Sequence, residues 1–170
     1  MELRQRKQIR LQNHDYSRAG YYFVTICVKD RWPILCTDTQ CVPGSSRLPL
    51  SEQGVLVENG IRQIPRHYSG VWVDRYVIMP NHIHMILVLA EEDGRTLNTP
   101  AHKASVSIIV RMLKEYVTKT LTYSIWQKSF HDHIIRDESE YLRICEYIET
   151  NPAKWQEDIY YAVPKGEMLL

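Results

Sequence analysis

The sequence predicts an α+β fold, an antiparallel sheet with helices packed on one face, and three observations predict it. Four short runs rich in β-branched and aromatic residues are interleaved with two stretches of helical spacing. Two of those runs meet at the pair Pro80-Asn81, which is turn chemistry and joins them as a hairpin. A third helical stretch follows the last strand, opened by a capping pair and closed by Pro152.

Taken in order, residues 1–18 hold no clean periodicity and read as a basic arm. Gly20 opens Tyr21 to Val28, apolar nearly throughout, as in a strand inside a sheet. Lys29 to Leu50 carries prolines and Gly44-Ser45-Ser46 and is expected as a loop, with a small hairpin about Pro43-Gly44. Ser51 can cap a helix running to about Ile64; its stripe of Val55, Leu56, Ile61 and Ile64 is weakened by Gly54 and Gly60, and Pro65 lies at its end. Strands are expected over Gly70 to Met79 and over 82–89, then an acidic loop from Ala90 to Ala101. Val106, Ile109, Met112, Leu113 and Tyr116 mark a helix over about 103–121, and Ser129 to Ile135 a short strand. In the last helix Asp137 and Glu140 form the capping pair, and Tyr141, Ile144, Cys145 and Ile148 the apolar stripe. The order β-α-β-β-α-β, plus one helix, is the ferredoxin-like pattern, expected as one domain over 19–155 between the 1–18 arm and a 156–170 tail without pattern.

Composition narrows the setting. A chain of 170 residues, 44% hydrophobic and 24% charged, suits a soluble globular domain with its own core. No apolar run reaches membrane-spanning length and the basic N-terminus has no signal-peptide core, so no membrane partner and a cytoplasmic location are expected. Cys27 and Cys145 sit in apolar patterns and are expected reduced; Cys36 and Cys41 lack the second pair that a zinc site needs. The net charge of +1 excludes a polycation, so a nucleic-acid partner would need local patches. Two exist. Arg4, Arg6, Lys7, Arg10 and Arg18 outnumber Glu2 and Asp15, and Lys103, Arg111, Lys114 and Lys119 face only Glu115, although solvated surface explains either patch equally well.

Chemistry concentrates on the strand 82–89. His82 and His84 are two apart, so both imidazoles project from one face, roughly 6–7 Å apart at Cα. They suit two ligands of one cation, or two side chains that hydrogen-bond locally. On the last helix Tyr147 and Asn151 are four apart, on one side, at the edge of the apolar stripe. There a phenol and a carboxamide can face the histidine strand, or be a boundary tyrosine and a helix-end residue. His131 and His133 repeat the two-residue spacing and read as structural or DNA-proximal.

Several stretches together resemble one family. Tyr76-Val77-Ile78-Met79-Pro80-Asn81-His82-Ile83-His84, Trp126-Gln127-Lys128-Ser129-Phe130 with Asp132-His133 and Ile135-Arg136-Asp137, and Tyr147-Ile148-Glu149-Thr150-Asn151-Pro152 are similar to motifs of the REP-associated tyrosine transposases. These belong to the wider single-tyrosine HUH transposases of bacterial insertion sequences. The opening Arg6 to Leu11, Asp15-Tyr16-Ser17 and Gly20 to Thr25 also resembles the family, so the likeness spans residues 4 to 155.

The resemblance implies a ferredoxin-like core whose C-terminal helix carries the catalytic tyrosine. It implies a metal-dependent single-stranded DNA endonuclease and strand transferase acting at repeat hairpins through a 5′-phosphotyrosine. Carried over, Tyr147 is the nucleophile, and His82, His84 and, as third ligand, Asn151 hold Mg²⁺ or Mn²⁺. Insertion-sequence relatives often have glutamine where Asn151 stands. Three neutral ligands leave the cation's charge undiminished, so weak metal binding without DNA is expected. The expected partner is single-stranded DNA folded into a hairpin, contacted first by Arg4, Arg6, Lys7 and Arg10 and secondarily by Arg111 and Lys114. Tyr16, Tyr21 and Trp126 are candidates to stack on unpaired bases. The protein would work as a monomer or homodimer. The alternative is a catalytically inactive or domesticated hairpin-binding protein. A zinc hydrolase built on the His-x-His pair ranks below both, for want of a convincingly spaced third ligand.

Overall fold

Four strands form one antiparallel sheet in the order β2-β3-β1-β4, the order of the ferredoxin-like pattern. The computed structural model describes residues 17–38, 40, 47–90 and 104–161. The elements are β1 (Gly20–Cys27), α1 (Glu52–His67), β2 (Val71–Met79), β3 (His82–Leu89), α2 (Val106–Leu121), β4 (His131–Ile135) and α3 (Glu138–Thr150). Short 3₁₀ turns occupy Lys29–Arg31 and Asn151–Glu157. The hairpin about Pro43-Gly44, Cys41, Tyr16, Lys103 and the arm residues Arg4, Arg6, Lys7 and Arg10 lie outside the described residues.

β3 is buried along its whole length because it is central and covered on both sides. Its alternation sorts its residues between two cores. Ile83, Met85, Leu87 and Leu89 face α1 and α2, where they meet Val57, Ile61, Ile109, Leu113 and Val117. Ile86 and Val88 face the other way and pack with Val77, Met79, Ile144, Cys145, Ile148 and Trp155. So α1 and α2 share one face, and α3 lies on the opposite one. His82 and His84 belong by parity to the α3 face. Burying each isoleucine of α3 there is worth roughly 1.5–3 kcal/mol, which keeps that helix seated over the sheet.

Pro80-Asn81 makes a two-residue connection, with Met79 paired to His82 across it. α1 starts at the Ser51 cap, whose hydroxyl accepts from Gly54 N–H, and α3 at the Asp137 cap, whose carboxylate accepts from Glu140 N–H. α1 does not end at Pro65 but carries it in the last turn and runs on to His67, giving up the hydrogen bond that an N–H at position 65 would make. The glycines read as weaknesses of that helix are contact points. A Cβ on Gly54 would overlap the Leu35 carbonyl oxygen, and one on Gly60 would press on Leu113 and Tyr116 of α2. Each gives up helix propensity for close approach.

Candidate functional site

The α3-side face of β3 runs from apolar to polar. α3 covers Ile86 and Val88, whereas the histidine end is closed by Trp155 and by Asp158 to Tyr160, which follow the 3₁₀ turn. The imidazole Nε2 atoms of His82 and His84 are 2.9 Å apart. Tyr147 reaches in from α3, its Oη 3.2 Å from His84 Nε2. It donates to Asp158 Oδ2 at 3.3 Å, and that oxygen is 3.9 Å from His82 Nε2. Phe23 stacks on the His84 ring at 5.2 Å and Tyr160 packs 4.7 Å from His82, so the walls are aromatic.

Neighbouring polar groups orient both rings. Asn81 Nδ2 donates to the carbonyls of Arg31 (3.1 Å) and Tyr160 (2.9 Å), which leaves Asn81 Oδ1 as an acceptor. His82 Nδ1–H donates to it at 2.9 Å, so the His82 Nε2 lone pair faces the site. His84 Nδ1 is 2.8 Å from the Thr25 hydroxyl, which donates or accepts as required and so tolerates either tautomer. Without a cation, His84 Nε2–H donates to His82 Nε2. Burial, then the Arg31 charge, lowers the His82 pKa to about 3; burial and then His82 hold His84 well below its ordinary value. Both are neutral at pH 7, the form that ligates. Burial, and after it the Asp158 carboxylate, raises the Tyr147 phenol above its ordinary 10, with the Asn151 amide acting the other way. The site as it stands holds a poor nucleophile.

His82, His84 and Asp158 offer ligand atoms within 4.8 Å of one another, and such a group can hold a metal ion. Asn151 is buried at 3% exposure; its amide lies toward the Tyr147 hydroxyl, but neither its Oδ1 nor its Nδ2 makes a well-formed hydrogen bond among the described residues. A buried carboxamide left so is costly unless something else takes it. The donor set, two neutral imidazoles, one of them free to change tautomer, and the Asp158 carboxylate, fits a divalent cation. Asp158 is the residue that sequence reasoning missed. Its segment was read as a patternless tail, yet Pro152 and buried Trp155 turn the chain back over the histidines. A Pro and a Trp so soon after the helix were the available signal. With a carboxylate beside the imidazoles, the premise of three neutral ligands no longer holds.

The remaining candidates lie elsewhere. Arg111 is exposed and lies 3.8 Å from Glu115. Lys114 donates to the carbonyls of Gln127 and Ser129 at 2.8 and 2.9 Å, and burial lowers its pKa to about 8, so it braces the chain before β4. Both line a groove of about 530 Å³ with Lys119, Trp126 and Lys128. His133 is tied to Glu140 at 2.6 Å, away from the cation-binding group. Tyr141 donates to Asp74 at 2.7 Å.

No protein-family model matches the chain. It is 33% identical over 175 residues to an uncharacterized protein of Haemophilus influenzae, covering 92% of this chain and 93% of that one. A second Haemophilus influenzae protein, provisionally named a REP-associated tyrosine transposase, is 26% identical over 155 residues, covering 82% and 74%. The REP-associated tyrosine transposase of Escherichia coli is 26% identical over 140 residues, covering 82% and 70%. Among solved structures, a REP-associated tyrosine transposase bound to a REP hairpin superposes with a TM-score of 0.63 at 24% identity, over 86% of this chain and 74% of that one. That likeness is one of fold.

Proposed function

This chain belongs to the REP-associated tyrosine transposases, and we propose that it nicks and rejoins single-stranded DNA beside a repeat hairpin, with Tyr147 as nucleophile and Mg²⁺ or Mn²⁺ held by His82, His84 and Asp158, with Asn151 in reach. The observation that carries the reading is the Tyr147 hydroxyl 3.2 Å from His84, at the mouth of the cation-binding group. The hairpin as partner follows from the relative whose structure holds one.

Tyr147 Oη attacks the scissile phosphorus, the P–O3′ bond breaks, and the products are a 5′-phosphotyrosine and a free 3′-OH. One group is placed to take the phenol's proton, Asp158 Oδ2 at 3.3 Å; His84 Nε2, 3.2 Å away, is committed to the His82 ring or to the cation. Phe23 packs edge-on to the Tyr147 ring at 6.2 Å and limits its swing. The cation, when bound, withdraws charge from the phosphoryl oxygens and orients the phosphate for in-line attack. Because the tyrosyl ester keeps the phosphodiester's free energy, a 3′-OH of another strand can reverse the step without ATP. Two imidazoles favour Mn²⁺ over Mg²⁺ in affinity. The arm residues Arg4, Arg6, Lys7 and Arg10, and secondarily Arg111 and Lys114, are proposed to hold the DNA backbone, and no helix among the described residues is long and apolar enough to cross a membrane.

Labelled hairpin oligonucleotides with single-stranded flanks, incubated with Mn²⁺ or Mg²⁺ and run on a denaturing gel, test this. The expected result is a covalent protein–DNA band, absent with EDTA and absent in Tyr147→Phe. Hairpin binding without any adduct in either metal would favour the inactive binding protein.

A further inference from the structure

The turn that leaves β1 carries features that the site does not explain. Asp30 and Arg31 are both left-handed, with φ of 55° and 56°, a conformation that L side chains rarely adopt. Structural ties hold it there: Val28 N–H donates to Asn81 O at 2.8 Å, Lys29 N–H to Ile125 O at 2.8 Å, and Asn81 Nδ2 to Arg31 O at 3.1 Å. The same Asn81 side chain orients His82, and Cys27, where β1 ends, is the register partner of His82. The turn is thus fixed at the rim of the histidine site.

Its side chains face water. The Arg31 guanidinium lies 5.3 Å over the Tyr160 ring, which itself packs against His82, and spends one N–H on Ile159 O at 3.3 Å. That leaves donors of its planar fork for an anion. Trp32 is 64% exposed, the most exposed aromatic side chain among the described residues. Pro33 confines its backbone to the extended region it occupies, at φ −65° and ψ 128°. An indole held in water beside a fixed cation, next to a site for a phosphodiester, has the make-up of a seat for an unpaired nucleotide. The stacking candidates read from sequence are poorer. Trp126 is 6% exposed, and Tyr21 already packs edge-on with Tyr141 at 5.6 Å.

We propose that the Lys29–Trp32 turn seats the unpaired nucleotide flanking the cleavage point, Arg31 taking its phosphate and Trp32 stacking on its base. This rests on the reading of the site as one for single-stranded DNA. Lys29 adds a second cation to the turn and Asp30 one opposing charge, which favours a polyanion over an apolar peptide.

The test is made with metal chelated, so that cleavage plays no part. Binding of a homothymidine oligonucleotide and of a blunt duplex is followed by anisotropy across a salt series, and 2-aminopurine within the single strand reports stacking. Trp32→Ala should weaken single-strand binding roughly tenfold and relieve the 2-aminopurine quenching, while Trp32→Phe retains most of both and duplex binding is unchanged. Arg31→Gln should lower the log–log salt slope for the single strand by about 0.7, which a purely structural role would not do. Wild-type binding that Trp32→Ala leaves intact overturns the seat and spares the reading of the site. No binding by the wild type either to this strand or to a hairpin with single-stranded flanks, with or without Mn²⁺, overturns both.

Discussion

Asp158→Asn is expected to weaken Mn²⁺ binding to the DNA-free protein by on the order of 100-fold. The substitution removes the charge and, because Tyr160 N–H holds the oxygen at the Oδ1 position, also puts an amide nitrogen where Oδ2 faces the histidines. A unit charge a few ångströms from a dication in a buried site is worth several kcal/mol even at an effective dielectric near 20, and each 1.4 kcal/mol is about tenfold. The Asp158 side chain is 1% exposed and its Oδ1 is held by Tyr160 N–H at 2.6 Å, so Oδ2 faces the histidines with little freedom. Calorimetric titration of both proteins without DNA measures the effect. Equal affinities would return the site to three neutral ligands, with the DNA phosphate completing the shell.

Acid should destabilise the metal-free protein well above the usual carboxylate range. In the unfolded chain each imidazole takes up a proton as the pH falls through about 6.5. In the folded chain His82 resists protonation to about 3, and His84 also lies well below its ordinary value. Between these limits the unfolded state binds more protons, so stability falls with falling pH, by about 1.4 kcal/mol per unit for each histidine. For His82 this amounts to roughly 2 kcal/mol between pH 7 and 5, and His84 adds to it in the same direction. Urea unfolding in EDTA across that range should show the midpoint dropping steeply, and His82→Gln with His84→Gln should flatten it. A wild-type midpoint that does not move would mean that the imidazoles protonate in place.

How far the sequence reveals this molecule follows from how local each cause is. The β2–β3 hairpin is legible because Pro80-Asn81 is a turn and the alternation after it has period two, both decided within a few residues. The α3 cap at Asp137 and its stripe are equally local. That α3 faces His82 and His84 is not local. It follows from the sheet order, which places β3 at the centre and leaves one face to the third helix. Asp158 is the furthest from view, since its approach depends on a 3₁₀ turn stacked on that face through Trp155. Asn81 is legible as a turn residue, but not as the side chain that joins His82, the Lys29–Arg31 turn and Tyr160. Gly54 and Gly60 mislead because propensity counts the helix alone, whereas packing counts Leu35, Leu113 and Tyr116.

Two tyrosines stand close to the histidines, Tyr147 from α3 and Tyr160 from the segment after it, and the proposed chemistry commits to the first. Trypsin separates them, since cleavage after Arg143, Lys154 and Lys165 puts Tyr147 on peptide 144–154 and Tyr160 on peptide 155–165. Digesting the Mn²⁺-dependent protein–DNA adduct with trypsin and nuclease, then sequencing the nucleotide-bearing peptide by mass spectrometry, identifies the nucleophile. The expected result is a nucleotide on Tyr147 within 144–154; a nucleotide on Tyr160 would contradict it.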